Sequence, residues 1–186
     1  MKDRGNWIET VSGRQFWPLD PKPEDVFLLD IVIPLRNMCR YGGHVESFYS
    51  VAQHSVLVSR VVRPELALRA LMHDAAEAYL VDVPRPIKCM LTNYKDMEKA
   101  IAGAIAVFMG YEESWLTDFP QEIHDADNGI LLAERKSLRI NSKLDWGIIA
   151  PTFDVEVEPL PPRRAQELFM ERFVKLHGFD KVGDLI

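Results

Sequence analysis

Apolar positions recur at helical spacing along most of the chain and mark out a series of amphipathic segments. The first runs from Asp20 or Pro21 to Cys39, with Phe27, Leu28, Ile31, Leu35 and Met38 in one stripe. Pro23 suits its opening, and Glu24 and Asp25 favour its first turn. Pro34 removes a backbone donor and predicts a kink or break near residue 30. Ser50 and Gln53 have the form of a capping box for a helix to about Val62, with Val51, His54, Val58 and Val61 on one face. Pro64 and Glu65 open the next, which continues to Tyr79 with Leu66, Ala70, His73 and Glu77 on one face. Asn93 can cap a helix from Tyr94 to Met109, stopped by Gly110, whose stripe is Met97, Ile101, Ile105 and Phe108. Asp118-Phe119-Pro120 begins another helix, to about Leu138, with Ile123, Asp127, Ile130, Leu131 and Glu134 on its inner side. Pro161-Pro162 opens the last, with Ala165, Leu168, Phe169, Phe173 and Leu176 facing inward and Gly178 ending it.

The remainder is punctuation. Residues 1–22 hold Gly5, Gly13, Pro18 and Pro21 and predict an irregular or hairpin-like lead-in that buries Trp7, Ile8, Val11, Phe16 and Trp17. Residues 139–160 read as irregular. The pattern predicts an all-α bundle forming a single domain over 1–186, with its core in about 23–138 and a helix at about 161–177 packed on it. At 186 residues and 47% hydrophobic, the chain is long enough to build a real core. A net charge of −6 argues against a nucleic-acid polymer as partner, though a local basic pocket is compatible with it. Cys39 and Cys89 show no zinc-motif spacing, and together with the absence of a visible signal peptide or a membrane-length apolar run they predict a cytoplasmic protein.

The chemistry lies on the inner faces. His73 and Asp74 are adjacent, about 100° apart on a helix, and can offer one nitrogen and one oxygen to a cation between them. Glu77, one turn on, can reach a water on that ion. A histidine on an apolar face is more often a neutral core residue, and this applies equally to His54 among its valines. Short connection at Arg63-Pro64, however, makes the two helices antiparallel neighbours and turns His54 toward His73. Asp127 is a carboxylate on an apolar stripe, which is rarely tolerated without a partner or a metal. By facing, Asp125 should be solvated, and His124, one turn before Asp127, is a candidate neighbour of the ligand. His54, His73, Asp74 and Asp127 make a nitrogen–oxygen set suited to Mn, Co, Zn, Fe or Ni, with Mg as a candidate second ion. Arg40 and Tyr41, before Gly42-Gly43, offer a guanidinium for phosphate and a ring for a sugar or base; an arginine solvated at a helix end is the commoner use. Asp82 and Lys88, in a segment held extended by Pro84 and Pro86, can line a site opening past the Glu77 helix, or belong to an ordinary surface loop.

This order of ligands, a histidine, a His-Asp pair and a later aspartate, resembles the HD-domain metal-dependent phosphohydrolases. The likeness spans about Ile31 to Glu134. Tyr49-Ser50-Val51-Ala52-Gln53-His54-Ser55, Leu71-Met72-His73-Asp74-Ala75-Ala76-Glu77 and Asp82-Val83-Pro84-Arg85-Pro86-Ile87-Lys88 look like the bacterial and phage 5′-deoxynucleotidase branch. The resemblance implies an HD-domain helical bundle in which His54, His73, Asp74 and Asp127 are the metal ligands. It also implies that Glu77 is the acid/base, Arg40 holds phosphate, and Asp82 reads the deoxyribose 3′-hydroxyl. It implies a small deoxynucleotide as partner and a homo-oligomer, either a dimer or a larger ring. Two departures stand out: Tyr41 replaces the tryptophan of the best-known nucleotidases, and His54 and His73 are closer in sequence than in many relatives. Three functions follow as expectations: phosphate removal from deoxynucleoside 5′-monophosphates, triphosphate release from a dNTP, and a non-catalytic HD-fold binding module.

Overall fold

The computed structural model describes residues 4–138 and 143–178. A hairpin of β1 (Ile8–Glu9) and β2 (Gln15–Phe16) leads into α1 (Leu28–Asn37), α2 (Val51–Val61), α3 (Ala67–Leu71), α4 (Glu77–Leu80), α5 (Arg85–Lys88), α6 (Tyr94–Phe108), α7 (Gln121–Leu138) and α8 (Pro162–His177). The fold is all-α apart from this two-stranded ribbon. No helix among the described residues is long and apolar enough to cross a membrane. Residues 1–3 of the lead-in, 139–142 of the irregular stretch and 179–186 lie outside the described residues.

α2 is the centre. It packs against α1, α3, α7 and α8, and it is buried along most of its length, including the polar Gln53, His54, Ser55 and Ser59. The Ser50 hydroxyl caps it by accepting from the Gln53 amide at 3.1 Å. The reciprocal half of the capping box is not made. The Gln53 side chain instead donates to the Glu158 carbonyl (2.6 Å) and accepts from the Leu160 amide (3.0 Å), pinning the irregular segment after residue 142 to the bundle. Leu28, Ile31 and Leu35 of α1, Ile101 and Ile105 of α6, and Ala165, Phe169 and Phe173 of α8 close the main core around α2. A second cluster joins Val58 and Ala70 to Ile123, Ala126 and Ile130 of α7. Gly129 lets the segment cross α7 closely: a Cβ there would lie 2.4 Å from the Phe153 ring and 2.6 Å from the Pro151 carbonyl oxygen.

Five expectations are corrected. The first helix does not start at residue 20 or 21. Pro23–Asp25 form a single 3₁₀ turn, Val26 and Phe27 are extended, and α1 begins at Leu28 and continues through Pro34. The helix through Glu65 and Tyr79 is interrupted. A 3₁₀ turn at Pro64–Leu66 precedes α3, and residues 72–76 turn before α4. The cause is visible at Ala70, whose carbonyl accepts both the His73 amide (3.5 Å) and the His73 Nδ1–H (2.7 Å), so the i→i−4 ladder yields to i→i−3 bonds. Residues 85–88 are a helical turn rather than extended. Of the lead-in's apolar side chains only Phe16 is fully buried, stacked on Tyr79 at 3.7 Å; Trp7, Ile8 and Val11 remain exposed, because so short a ribbon has little inner face. The ribbon's turn is tied to α1 by Asp30, which accepts from the Ser12 amide (2.8 Å) and hydroxyl (2.6 Å). Asn93 also makes no side-chain cap on α6; Gly110, at φ +83°, follows its end as expected.

Candidate metal centre

The break between α3 and α4 is what aims the site. His54, from the middle of α2, is fully buried and donates Nδ1–H to Glu134 of α7 at 2.6 Å. His73 spends its Nδ1 on the Ala70 carbonyl. A carbonyl and a carboxylate both demand the N–H on Nδ1, so in the neutral ring Nε2 carries the lone pair, and His54 must give up a proton to offer it. Both Nε2 atoms are buried; that of His73 has no hydrogen-bond partner, and that of His54 meets only the carboxylates of Asp127 and Asp74. The two rings stand 5.3 Å apart, and His54, His73 and Asp74 offer ligand atoms all within 4.8 Å of one another. This cluster can hold a metal ion. Asp74 Oδ1 lies 3.3 Å from His73 Nε2 and its Oδ2 3.8 Å from His54 Nε2. Asp127 of α7 stands outside this group of three but borders it, with Oδ1 at 3.1 Å from His54 Nε2.

In the metal-free protein, burial and the Arg40 charge oppose protonation of His54, yet the Glu134 and Asp127 carboxylates raise its pKa to about 9. Burial alone would raise the pKa of Asp127, but its contact with His54 holds it well below the ordinary carboxylate range. Glu134 is likewise buried, and Arg40 and His54 bring it down to about 2.

Glu77 opens α4 beside this cluster. Its Oε2 is buried with no hydrogen-bond partner, and desolvation, with Asp74 and Asp82 next in weight, raises its pKa well above the usual value. Burial thus favours its protonated form. Arg40 lies in the turn Arg40–Gly43, buried, with Nη1 at 3.5 Å from Asp74 and Nε at 3.4 Å from Glu134. Tyr41 takes a left-handed conformation (φ +60°), and its hydroxyl donates to Glu134 rather than facing outward. Lys88 pairs with Glu98 of α6. Asp82 follows Val81, which sits at φ +67°, ψ 157°, a region costly for a β-branched residue. Burial raises the Asp82 pKa.

Arg40, His54, His73, Asp74, Glu77 and Asp127 therefore gather around one site, and Tyr41 reaches it through Glu134. His124 does not join them: it is exposed and stands edge-on to Phe119. Asp125 accepts from Gln121 (2.9 Å) along α7, away from the site. Two functional residues escaped the sequence reading. Glu134 collects His54, Tyr41, Tyr49 (2.8 Å) and Arg40 around one fully buried carboxylate. Its place two turns after Asp127 on the same stripe was the available signal. Arg85 donates to Asp127 Oδ2 (2.7 Å) and Asn128 Oδ1 (2.6 Å), a contact no local pattern foretells.

No family model matches the chain. Over 179 residues it is 40% identical to the uncharacterized protein YfdR of Escherichia coli, covering 95% of this chain and 98% of that one. Over 114 residues it is 32% identical to the uncharacterized protein RCAP_rcc00048 of Rhodobacter capsulatus, covering 56% of this chain and 58% of that one.

Proposed function

The chain belongs to the family of the Escherichia coli protein YfdR, and from that premise and its site we propose that it is an HD-type metal-dependent phosphohydrolase of deoxynucleoside 5′-phosphates. One observation carries the reading: two buried imidazoles each spend Nδ1 on the protein and turn Nε2 toward carboxylates, with ligand atoms of His54, His73 and Asp74 all within 4.8 Å of one another. Asp127 completes a nitrogen–oxygen set suited to Mn, Co, Zn, Fe or Ni, with room in the proposal for Mg as a second ion. A divalent ion so held supplies a more acidic water and a polarised phosphoryl oxygen. The chain's own residues do the rest. Arg40, buried and always charged, binds the equatorial phosphoryl oxygens. Glu77 hands its proton to the leaving 5′-oxygen, or takes one from the attacking water when ionised. Asp82, on a backbone held rigid by the strained Val81 before it and Pro84 after it, accepts the 3′-hydroxyl of deoxyribose.

The test is a panel of dNMPs, NMPs and dNTPs with Mn, Co, Mg and Zn, scored for phosphate and triphosphate release. Metal-dependent phosphate release with a clear 2′-deoxy preference is the expected result. Absence of hydrolysis with every metal, from protein shown to bind the ion, would leave a non-catalytic binding module. Release of triphosphate would place the bond broken at the α-phosphate of a dNTP. That second reading is favoured by the exposed guanidinium at the rim.

A further inference from the structure

We infer that Arg85 is an outer anion-binding residue of this site and that it recognises phosphate beyond the one at the metal. The inference rests on the phosphohydrolase reading and extends the ligands of that site to deoxynucleotides that carry a polyphosphate chain.

Asp127 divides its two oxygens between different partners. Oδ1 meets His54 Nε2 at 3.1 Å, on the inner side, and Oδ2 accepts from Arg85 Nη2 at 2.7 Å, on the outer side. The Arg85 guanidinium is thus one carboxylate away from the inner cluster. Its side chain is 55% exposed, whereas that of Asp127 is 21% exposed. The inner cations are committed elsewhere. Arg40 is buried against Glu134 and Asp74, and Lys88 is paired with Glu98. Arg85 is the cation next to a candidate ligand that also faces solvent.

Chemistry adds a direction. Without a divalent ion, Asp127 gives its charge to His54 and Arg85 together. An ion held by His54, His73 and Asp74 would compete with Arg85 for the Asp127 charge. A guanidinium has five N–H donors in a planar fork that matches phosphate, and the bonds to Asp127 and Asn128 use two of them. Asn128 Oδ1 holds Nη1, and Pro84 and Pro86 bracket the backbone, so the fork is pre-positioned rather than trailing. Because Asp127 touches both His54 and Arg85, a second phosphate on a chain anchored at the inner cluster is within reach of this fork. Binding involves no bond change at Arg85.

The experiment measures binding, not turnover. The manganese-loaded full chain is titrated with orthophosphate and with pyrophosphate by calorimetry, keeping manganese in excess of either titrant. The wild type should bind pyrophosphate about tenfold more tightly than orthophosphate, the scale of a charge-assisted contact. Arg85→Ala should bring that ratio close to one with orthophosphate affinity little changed, and Arg85→Lys should restore part of it. Metal content measured on each variant separates a lost anion contact from a displaced Asp127. Equal binding of the two anions by the wild type, or an unchanged ratio in Arg85→Ala, overturns the inference. Failure of every deoxynucleotide to be hydrolysed would instead count against the phosphohydrolase reading and leave this ratio standing.

Discussion

Replacing Glu134 by glutamine tests the site at its most buried point. The carboxylate is fully enclosed and its two oxygens divide the labour. Oε1 accepts from His54 Nδ1 (2.6 Å) and Tyr49 (2.8 Å), and Oε2 faces Tyr41 and Arg40 Nε (3.4 Å). Glutamine keeps the volume but turns one oxygen into an NH₂ donor, so one pair of donors loses its acceptor whichever way the amide is set. A buried donor left unsatisfied costs about 1–3 kcal/mol, and a buried charge that loses its partner costs about 3–5 kcal/mol. Arg40 is the charge at stake, and it is nearly as enclosed as Glu134, so solvent screens little of the effect. Glu134→Gln should therefore destabilise the metal-free protein by about 3–5 kcal/mol, read from urea unfolding. Loss of the His54 Nδ1 acceptor should weaken metal binding by about 10–100-fold, read by chelator competition. Tyr49→Phe removes one donor and leaves the carboxylate paired, so it should cost only about 1 kcal/mol and keep the metal. This second variant keeps the test informative if the glutamine protein does not fold. A glutamine variant within about 0.5 kcal/mol of wild type, with metal affinity within about twofold, would falsify the assignment of Glu134 as the residue that orients His54.

Three further outcomes are expected. The raised pKa of His54, about 9 in the metal-free protein, means its charged form stabilises the fold fully below about pH 6.5 and loses that contribution as pH rises through about 9. Over that window metal binding should release close to one proton, seen as a buffer-dependent calorimetric heat at about pH 7.5; a buffer-independent heat contradicts it. Glu77→Gln should retain bound metal and substrate while losing about 10²–10⁴-fold in kcat, and near-normal turnover would show that this buried acid handles no proton. Gly129→Ala should lower stability by about 1–3 kcal/mol, because its Cβ meets the Phe153 ring at 2.4 Å; an unchanged melting temperature would mean the segment across α7 gives way freely.

Much of this site is readable from periodicity. α2, α6, α7 and α8 lie close to where their apolar stripes and terminal signals put them, so His54 and Asp127 were placed on the correct faces. Where the reading failed, a tertiary or side-chain bond overrode the local pattern. The His73 ring takes the Ala70 carbonyl and breaks a segment whose alanines favour continuous helix. Phe27, in the expected first stripe, is extended, which splits the segment after the Pro23–Asp25 turn. Glu134 is visible as a carboxylate on an apolar stripe, but its four partners, Arg40, Tyr41, Tyr49 and His54, lie 80 or more positions away in sequence. Arg85 reaches Asp127 across 42 positions of sequence, and spacing within one helix holds no trace of such a contact.

The backbone at Val81 makes this protein an instructive subject for laboratory evolution. A valine at φ +67° stores about 1–3 kcal/mol that glycine would release at no steric cost. Selection for heat resistance alone should therefore arrive at Val81→Gly readily, since the side chain is exposed and loses little packing. Selection for turnover should resist it, because the same change loosens the connection that carries Asp82. Populations evolved under the two regimes are expected to diverge at this codon, making position 81 a marker of whether stability or catalysis was under selection.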